Sequence, residues 1–302
     1  MHATRSLTPA LSGELLQLGR SGPGLRGYLA GGGLPLLLVH SVNAAAAAAE
    51  VRPLHERYRT THTVLSLDLP GYGASDRSDR PYDPRLMTDA VLVAAAELSA
   101  RTGNGPVDAL AASLSCEFLA RAASERPDAF RRLALVSPTG LRGEVPRDGP
   151  PGSVVGAPWI LRLLRGPGWG RPLFRGLTRP AVIRYFLQRT WGSKQIDETL
   201  WRYAIETTRQ PGAEHAPLHF LAALLFSRDA LRLYESLRQP VWMSYGTRGD
   251  FTDYRGKRSL EGRANWSFDV FPTGALPYFE VPEPFFTRLD AFLGGNAGPG
   301  TA

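Results

Sequence analysis

The chain has 302 residues, 43% hydrophobic and 21% charged, a balance that excludes wholesale disorder. At this length a core needs no disulfide or metal staple, and a single cysteine, Cys116, excludes an internal disulfide framework and a four-cysteine zinc site. The net charge is +7, with Lys194 and Lys257 the only lysines among 35 basic residues.

Apolar runs bounded by turn residues alternate with longer helical patterns through the first half. Gly13 to Leu18 and Leu25 to Leu29 read as early strands, and Leu34 to Val39 as a buried one. An alanine-rich helix is predicted from Asn43 to Tyr58, then a strand over Thr63 to Leu67 and a helix over Leu86 to Thr102. Val107 to Ala111 is the next strand, Ser115 to Arg126 the next helix and Leu133 to Val136 the next strand. This alternation implies an α/β protein with a mostly parallel central sheet flanked by helices.

From Arg142 to Arg238 the pattern holds no convincing strand. Helical segments broken by Gly and Pro are predicted at Ile160 to Leu164, Val182 to Gln188, Glu198 to Thr207 and Leu218 to Leu237. Strands return at Val241 to Tyr245 and Phe268 to Phe271, and a helix over Pro282 to Leu293 ends the pattern. The expected organisation is an α/β core over 1–141, a helical insertion over 142–238, the rest of the core over 239–293, and a disordered tail over 294–302. Residues 1–20 hold no lipophilic stretch of the signal-peptide kind and no apolar run approaches membrane-spanning length, so a soluble, cytoplasmic protein is expected.

The insertion carries the charge asymmetry. Arg162, Arg165, Arg171, Arg175, Arg179, Arg184, Arg189 and Lys194 lie in a stretch without Asp or Glu, interleaved with Trp159, Trp169, Phe174, Tyr185, Phe186 and Trp191. Arginine-rich coding bias is the bland reading. The sharper one is a weak association with an anionic membrane surface. No nucleic-acid-binding motif accompanies the stretch, so no nucleic-acid partner is expected.

Two other signals fall away. Gly22-Pro23-Gly24-Leu25-Arg26-Gly27 matches a dinucleotide string, but a strand end and a glycine loop follow it instead of the helix that such a site needs. His215 and His219 stand four apart, as a metal pair would, but Pro217 between them argues against a continuous helix. No metal and no cofactor is implied.

The sharpest motif is a strand running into a helix, Val107 to Ala112 followed by Ser113-Leu114-Ser115-Cys116-Glu117. A turn this tight needs small residues two positions either side of its apex, or helix and strand collide; glycine usually fills both. Here they are Ala111 and Ser115, which makes Ser113 the candidate nucleophile. A frame centred on Ser115 puts Glu117 at a flank and does not fit. Cys116 sits where a helix N-terminus could lower a thiol pKa, though a small packed residue is the commoner use of such a position.

A second turn, Asp68-Leu69-Pro70-Gly71-Tyr72-Gly73-Ala74-Ser75-Asp76, follows an earlier strand. Together with the strand ending at His40, the Ser113 turn and the Glu280-Val281-Pro282-Glu283 tail, it makes the chain resemble the α/β-hydrolase superfamily over roughly residues 11 to 293, in the branch with an inserted helical cap. The resemblance implies an oxyanion hole built from the backbone N–H groups of Leu114 and Val42, with Ser41 and Asn43 beside it as binding residues. It implies a loop-bracing role for His40. It places the acid at Asp250, with Asp253 in reserve. The general base should be a histidine before the last helix, yet His219 is the last histidine in the chain. The family register puts the missing residue at Ala275, or at Tyr278 in a looser one. Alanine has no base, and a phenol with a pKa of about 10 is a poor acceptor at neutral pH.

Three readings stay open. One is a serine-type hydrolase of a carboxylic ester, lactone or similar apolar or anionic small molecule, its base supplied from the cap or lacking. Another is a non-hydrolytic enzyme, a cyclase or lyase, using the same pocket. The third is a ligand-binding pseudoenzyme.

Overall fold

A computed structural model describes residues 7–19, 24–144, 147–166 and 168–295. The first part of the chain forms β1 (Glu14–Leu18), β2 (Leu25–Gly31), β3 (Leu34–Val39), α1 (Arg52–Tyr58), β4 (His62–Asp68), α2 (Pro84–Arg101), β5 (Val107–Ala112), α3 (Ser115–Glu125) and β6 (Phe130–Val136). Six helices follow among the described residues: α4 (Pro158–Leu164), α5 (Gly170–Leu177), α6 (Pro180–Trp191), α7 (Glu198–Thr207), α8 (His215–Leu221) and α9 (Ala230–Glu235). Then come β7 (Val241–Gly246), α10 (Arg258–Glu261), β8 (Trp266–Phe271), α11 (Pro277–Glu280) and α12 (Pro282–Leu293). Residues 296–302, most of the expected tail, lie outside the described residues, as do Gly22 and Pro23 of the dinucleotide-like string.

One sheet of eight strands runs in the order β1-β2-β4-β3-β5-β6-β7-β8. β1 and β2 pair antiparallel with their neighbours, and every pairing from β4 to β8 is parallel. Parallel strands are covered on both faces, which is why the sequence of β3 is apolar at every position instead of alternating. Leu37 and Val39 pack into the core shared with α2 and α3, while Leu36 and Leu38 pack with α1 and α12 on the other face. β5 divides in the same way, Ala109 and Ala111 to one face and Leu110 and Ala112 to the other. After β3 the chain steps outward to β4, then returns to the far side of β3 as β5. The carboxyl ends of β3 and β5 therefore flank a topological switch point, where open α/β sheets leave a crevice.

Three elements depart from the sequence expectation. The helix predicted over Asn43 to Tyr58 begins only at Arg52, after a 3-10 turn over Ala48–Val51. Pro53 lacks the N–H that an interior helical position needs and sits in the first turn, where none is required. Ala46 to Ala49 before it are buried, and the Ala48 N–H is held by the Asp68 carboxylate at 2.7 Å. The helix predicted over Leu218 to Leu237 is split, with Ala223 in the left-handed region at φ +55° between the halves. Conversely, α8 runs continuously from His215 through Pro217 to His219, because a proline in the first helical turn forfeits no bond.

The helical insertion is fastened to α3 at both ends. Glu117, fully buried, binds Arg147, the Thr139 hydroxyl and the Ser227 N–H, the last at 2.8 Å. Arg121 pairs with Asp229 at 2.8 Å, and Asp229 also accepts from the Gly152 N–H. Burial pushes the Glu117 carboxyl up in pKa, while the Arg147 charge and the two hydrogen bonds pull it down. No helix among the described residues is long and apolar enough to cross a membrane.

Removing one partner of a buried pair leaves an uncompensated charge, a loss on the order of 3 kcal/mol. Arg147→Ala is therefore expected to lower stability by about that amount in urea melts. The double variant Arg147→Met/Glu117→Gln should recover much of it; a single variant as stable as the parent would show that the pair does not hold the insertion.

Candidate functional site

At the switch point β5 turns into α3 within two residues. Ser113 takes φ +54°, a left-handed value that costs a non-glycine residue on the order of 1 kcal/mol. Three bonds hold the turn: the Ser113 N–H donates to Val136 O at 2.8 Å, the Ser115 hydroxyl donates to His40 O at 2.5 Å, and the Cys116 thiol donates to Ala111 O at 3.2 Å. Small side chains at Ala111 and Ser115 let strand and helix meet, and both residues are buried. The Ser113 side chain is partly exposed, and among the described residues its hydroxyl has no hydrogen-bond partner. Cys116 is fully buried, which pushes its thiol well above the usual range and leaves it a packed residue.

The loop after β3 lies beside this turn because β3 and β5 are neighbours. His40 braces it: Nε2 accepts from the Leu69 N–H at 3.1 Å, and Nδ1 lies 2.5 Å from Ser41 O, so the neutral ring donates through Nδ1. Complete burial lowers the His40 pKa to about 4. Glu50, a lone acid at the end of the alanine run, organises the rest. Its carboxylate accepts from the Ser41 N–H at 2.9 Å and from Asn43 Nδ2 at 2.7 Å. Asn43 Oδ1 accepts in turn from the Ala45 N–H. The polar groups of Asn43 are thus engaged inside the loop, and Ser41 is buried. Among the described residues the backbone N–H groups of Val42 and Leu114 have no protein acceptor.

The expected acid and the position of the absent base lie at the ends of β7 and β8. Asp250 is exposed and held by two bonds from Arg189 of α6, at 2.6 and 2.5 Å. Asp253 is bound by Arg255, which holds its carboxyl well below the usual carboxylate range. Ala275 is buried under the end of α6, its N–H donating to Thr190 O at 2.9 Å and its carbonyl accepting from the Ser137 hydroxyl at 2.7 Å. A side chain on Gly274 would meet Thr190 O and the Trp191 Cα at 2.4 Å. Tyr278 is fully buried against Phe279 and Phe285. His219 is mostly buried, with Nδ1 on His215 O and its ring edge on Tyr82. Among the described residues, no histidine hydrogen-bonds Ser113.

Glu50, Ser137 and Thr190 escaped the sequence reading, as did the pairing of Arg189 with Asp250. Only Glu50 left a signal, a single charge closing a run of six alanines. The others act through backbone atoms or through partners remote in sequence.

The α/β-hydrolase family profile, "Alpha/beta hydrolase family", matches residues 36–288. No curated protein sequence matches the chain. Among solved structures it is similar to a serine hydrolase involved in carbazole degradation, the CarC enzyme, at 15% identity and TM-score 0.71, with 93% of this chain and 98% of that chain covered. It is also similar to the enol-lactonase of Burkholderia xenovorans LB400, at 16% identity and TM-score 0.68, covering 93% and 99%. A third is the Cif epoxide hydrolase of Acinetobacter nosocomialis, at 19% identity and TM-score 0.69, covering 93% and 88%. Identities this low carry the fold alone.

Two stability measurements test this geometry. Ser113→Gly removes about 1 kcal/mol of left-handed strain but adds about 0.5–1 kcal/mol of chain entropy to the unfolded state, so a net change between zero and a gain of about 0.5 kcal/mol is expected. A loss of stability would mean that the turn is relaxed with serine. For His40, protonation would set an Nε2–H against the Leu69 N–H. Its folded pKa lies below the unfolded value of about 6.5, so its contribution is complete above pH 6.5 and lost as pH falls towards 4. His40→Gln should be less stable at pH 7.5 and show a flatter decline between those values; equal slopes in urea melts would rule out His40 as the titrating group.

Proposed function

Because the chain belongs to the alpha/beta hydrolase family, we propose that Ser113 is the nucleophile of a serine-type hydrolase acting on a carboxylic ester, lactone or similar apolar or anionic small molecule. The observation that carries this reading is the strained, partly exposed serine between β5 and α3. A non-glycine residue is kept at positive φ where function requires the side chain there. The free N–H groups of Val42 and Leu114 are the oxyanion donors in this reading. Each such donor lowers the barrier by on the order of 3 kcal/mol. Residues 142–238 act as the cap over the site, and the basic, aromatic surface of 151–194 supports a weak attraction to anionic membranes.

The reaction has a defined weakness. As the Ser113 oxygen bonds to the substrate carbonyl carbon, its proton must leave, and among the described residues no imidazole is bonded to it to receive the proton. It passes to water or to the departing alkoxide, and water then releases the acyl group. In a serine protease, loss of the histidine alone lowers turnover by about 10⁶. Asp250, paired with Arg189, takes no base to orient. Acylation is therefore slow and limited to substrates with good leaving groups.

The seal of Thr190 on Ala275 favours a second reading, a ligand-binding protein descended from such an enzyme. The two part in one experiment with a fluorophosphonate probe and p-nitrophenyl esters. Labelling and slow turnover, both abolished in Ser113→Ala, are expected. Absence of both, with Ala275→His restoring neither, would overturn the hydrolase reading.

A further inference from the structure

The arginines of the insertion differ in their surroundings. Those on α6 have partners: Arg184 binds Glu198 through two bonds, and Arg189 binds Asp250. Others converge on a cleft of about 590 Å³ between α5 and the segment joining α7 to α8. Arg171, Phe174, Arg175 and Thr178 stand at intervals of three, one and three residues, which places them on one face of α5, and this face is one wall. Arg209 lies on the opposite wall, and Arg179 at the start of α6 closes the rim.

Glu214 is the one acid lining the cleft, and Arg171 occupies it at 2.8 Å. Among the described residues, Arg175, Arg179 and Arg209 have no carboxylate partner. Three arginines without carboxylate partners line one concavity, and like charges brought together repel, so an anion bound among them would be favoured. Their planar donor forks match tetrahedral oxyanions bearing several oxygens and more than one charge. Phe174, also in the lining, is buried, so part of the cleft wall is apolar and water-excluded.

We propose that this cleft binds a phosphate-bearing ligand, held by Arg175, Arg179 and Arg209. The phosphate belongs either to a free phosphorylated molecule or to a phospholipid headgroup; exposed Trp169 and Leu173 near α5 are compatible with the second source. The site goes beyond the Ser113 reading and does not depend on it.

The test is calorimetric titration of the full chain with inorganic pyrophosphate, beside flotation on phosphatidylcholine vesicles with and without phosphatidate. Arg175→Gln/Arg209→Gln is compared with Arg162→Gln, an α4 cation outside the cleft lining. Saturable pyrophosphate binding, weakened about tenfold or more in the double variant only, supports a free phosphorylated ligand. Binding confined to phosphatidate vesicles and lost in the double variant only supports a headgroup. No binding to either probe, or equal weakening by Arg162→Gln, overturns the proposal, the latter because diffuse surface charge would account for it.

Discussion

A chain that leaves a buried parallel strand and enters a packed helix within two residues must bend through a left-handed apex. The arrangement around Ser113 is the set of conditions for that bend. Ala111 and Ser115 are small enough for strand and helix to meet. The Ser113 N–H is satisfied by Val136 of β6, and the Ser115 hydroxyl reaches back to His40 at the end of β3. One turn thus ties three neighbouring strands, and it brings the loop carrying Val42 beside the serine. The strain is held by packing on every side, and the side chain at its apex remains partly exposed.

The opposite rim is built to another pattern. Where the family resemblance calls for an imidazole, α6 descends onto the β7 and β8 loops. Thr190 takes the Ala275 N–H, and Arg189 takes the Asp250 carboxylate. Gly274 and Gly249 let the backbones approach, each lying so close to the end of α6 that a side chain would collide with it. Ala275 itself is buried beside Gly274, so a larger side chain at 275 would enter a packed position.

Much of this was legible in the sequence where a single physical rule governs a segment. Runs such as Leu34 to Val39 announce doubly covered strands, and the Ser113 turn announces itself through small flanking residues. Legibility failed where two remote segments share one bond. Glu117 reads as an ordinary helix residue and is the buried anchor of Arg147 and Ser227. Asp250 reads as the acid that the family resemblance expects, and its pairing with a helix about sixty residues earlier left no local signal. Local rules also misled when position within an element was ignored. Pro53 delays a helix that composition alone would start at Asn43, whereas Pro217 interrupts nothing because it falls in a first turn.

The fastening of the insertion to α3 has a consequence for how such a protein can change. Segments 147–153 and 227–229 leave and rejoin the core at the same helix and are bridged to each other between Val154 and Ser227. The insertion is a cassette with its two ends clasped. Closing a longer or shorter loop between clasped ends changes the entropy only logarithmically with length. Helices can therefore be added, removed or exchanged inside the clasp while the sheet keeps its register, so the inserted segment is free to diverge faster than the sheet.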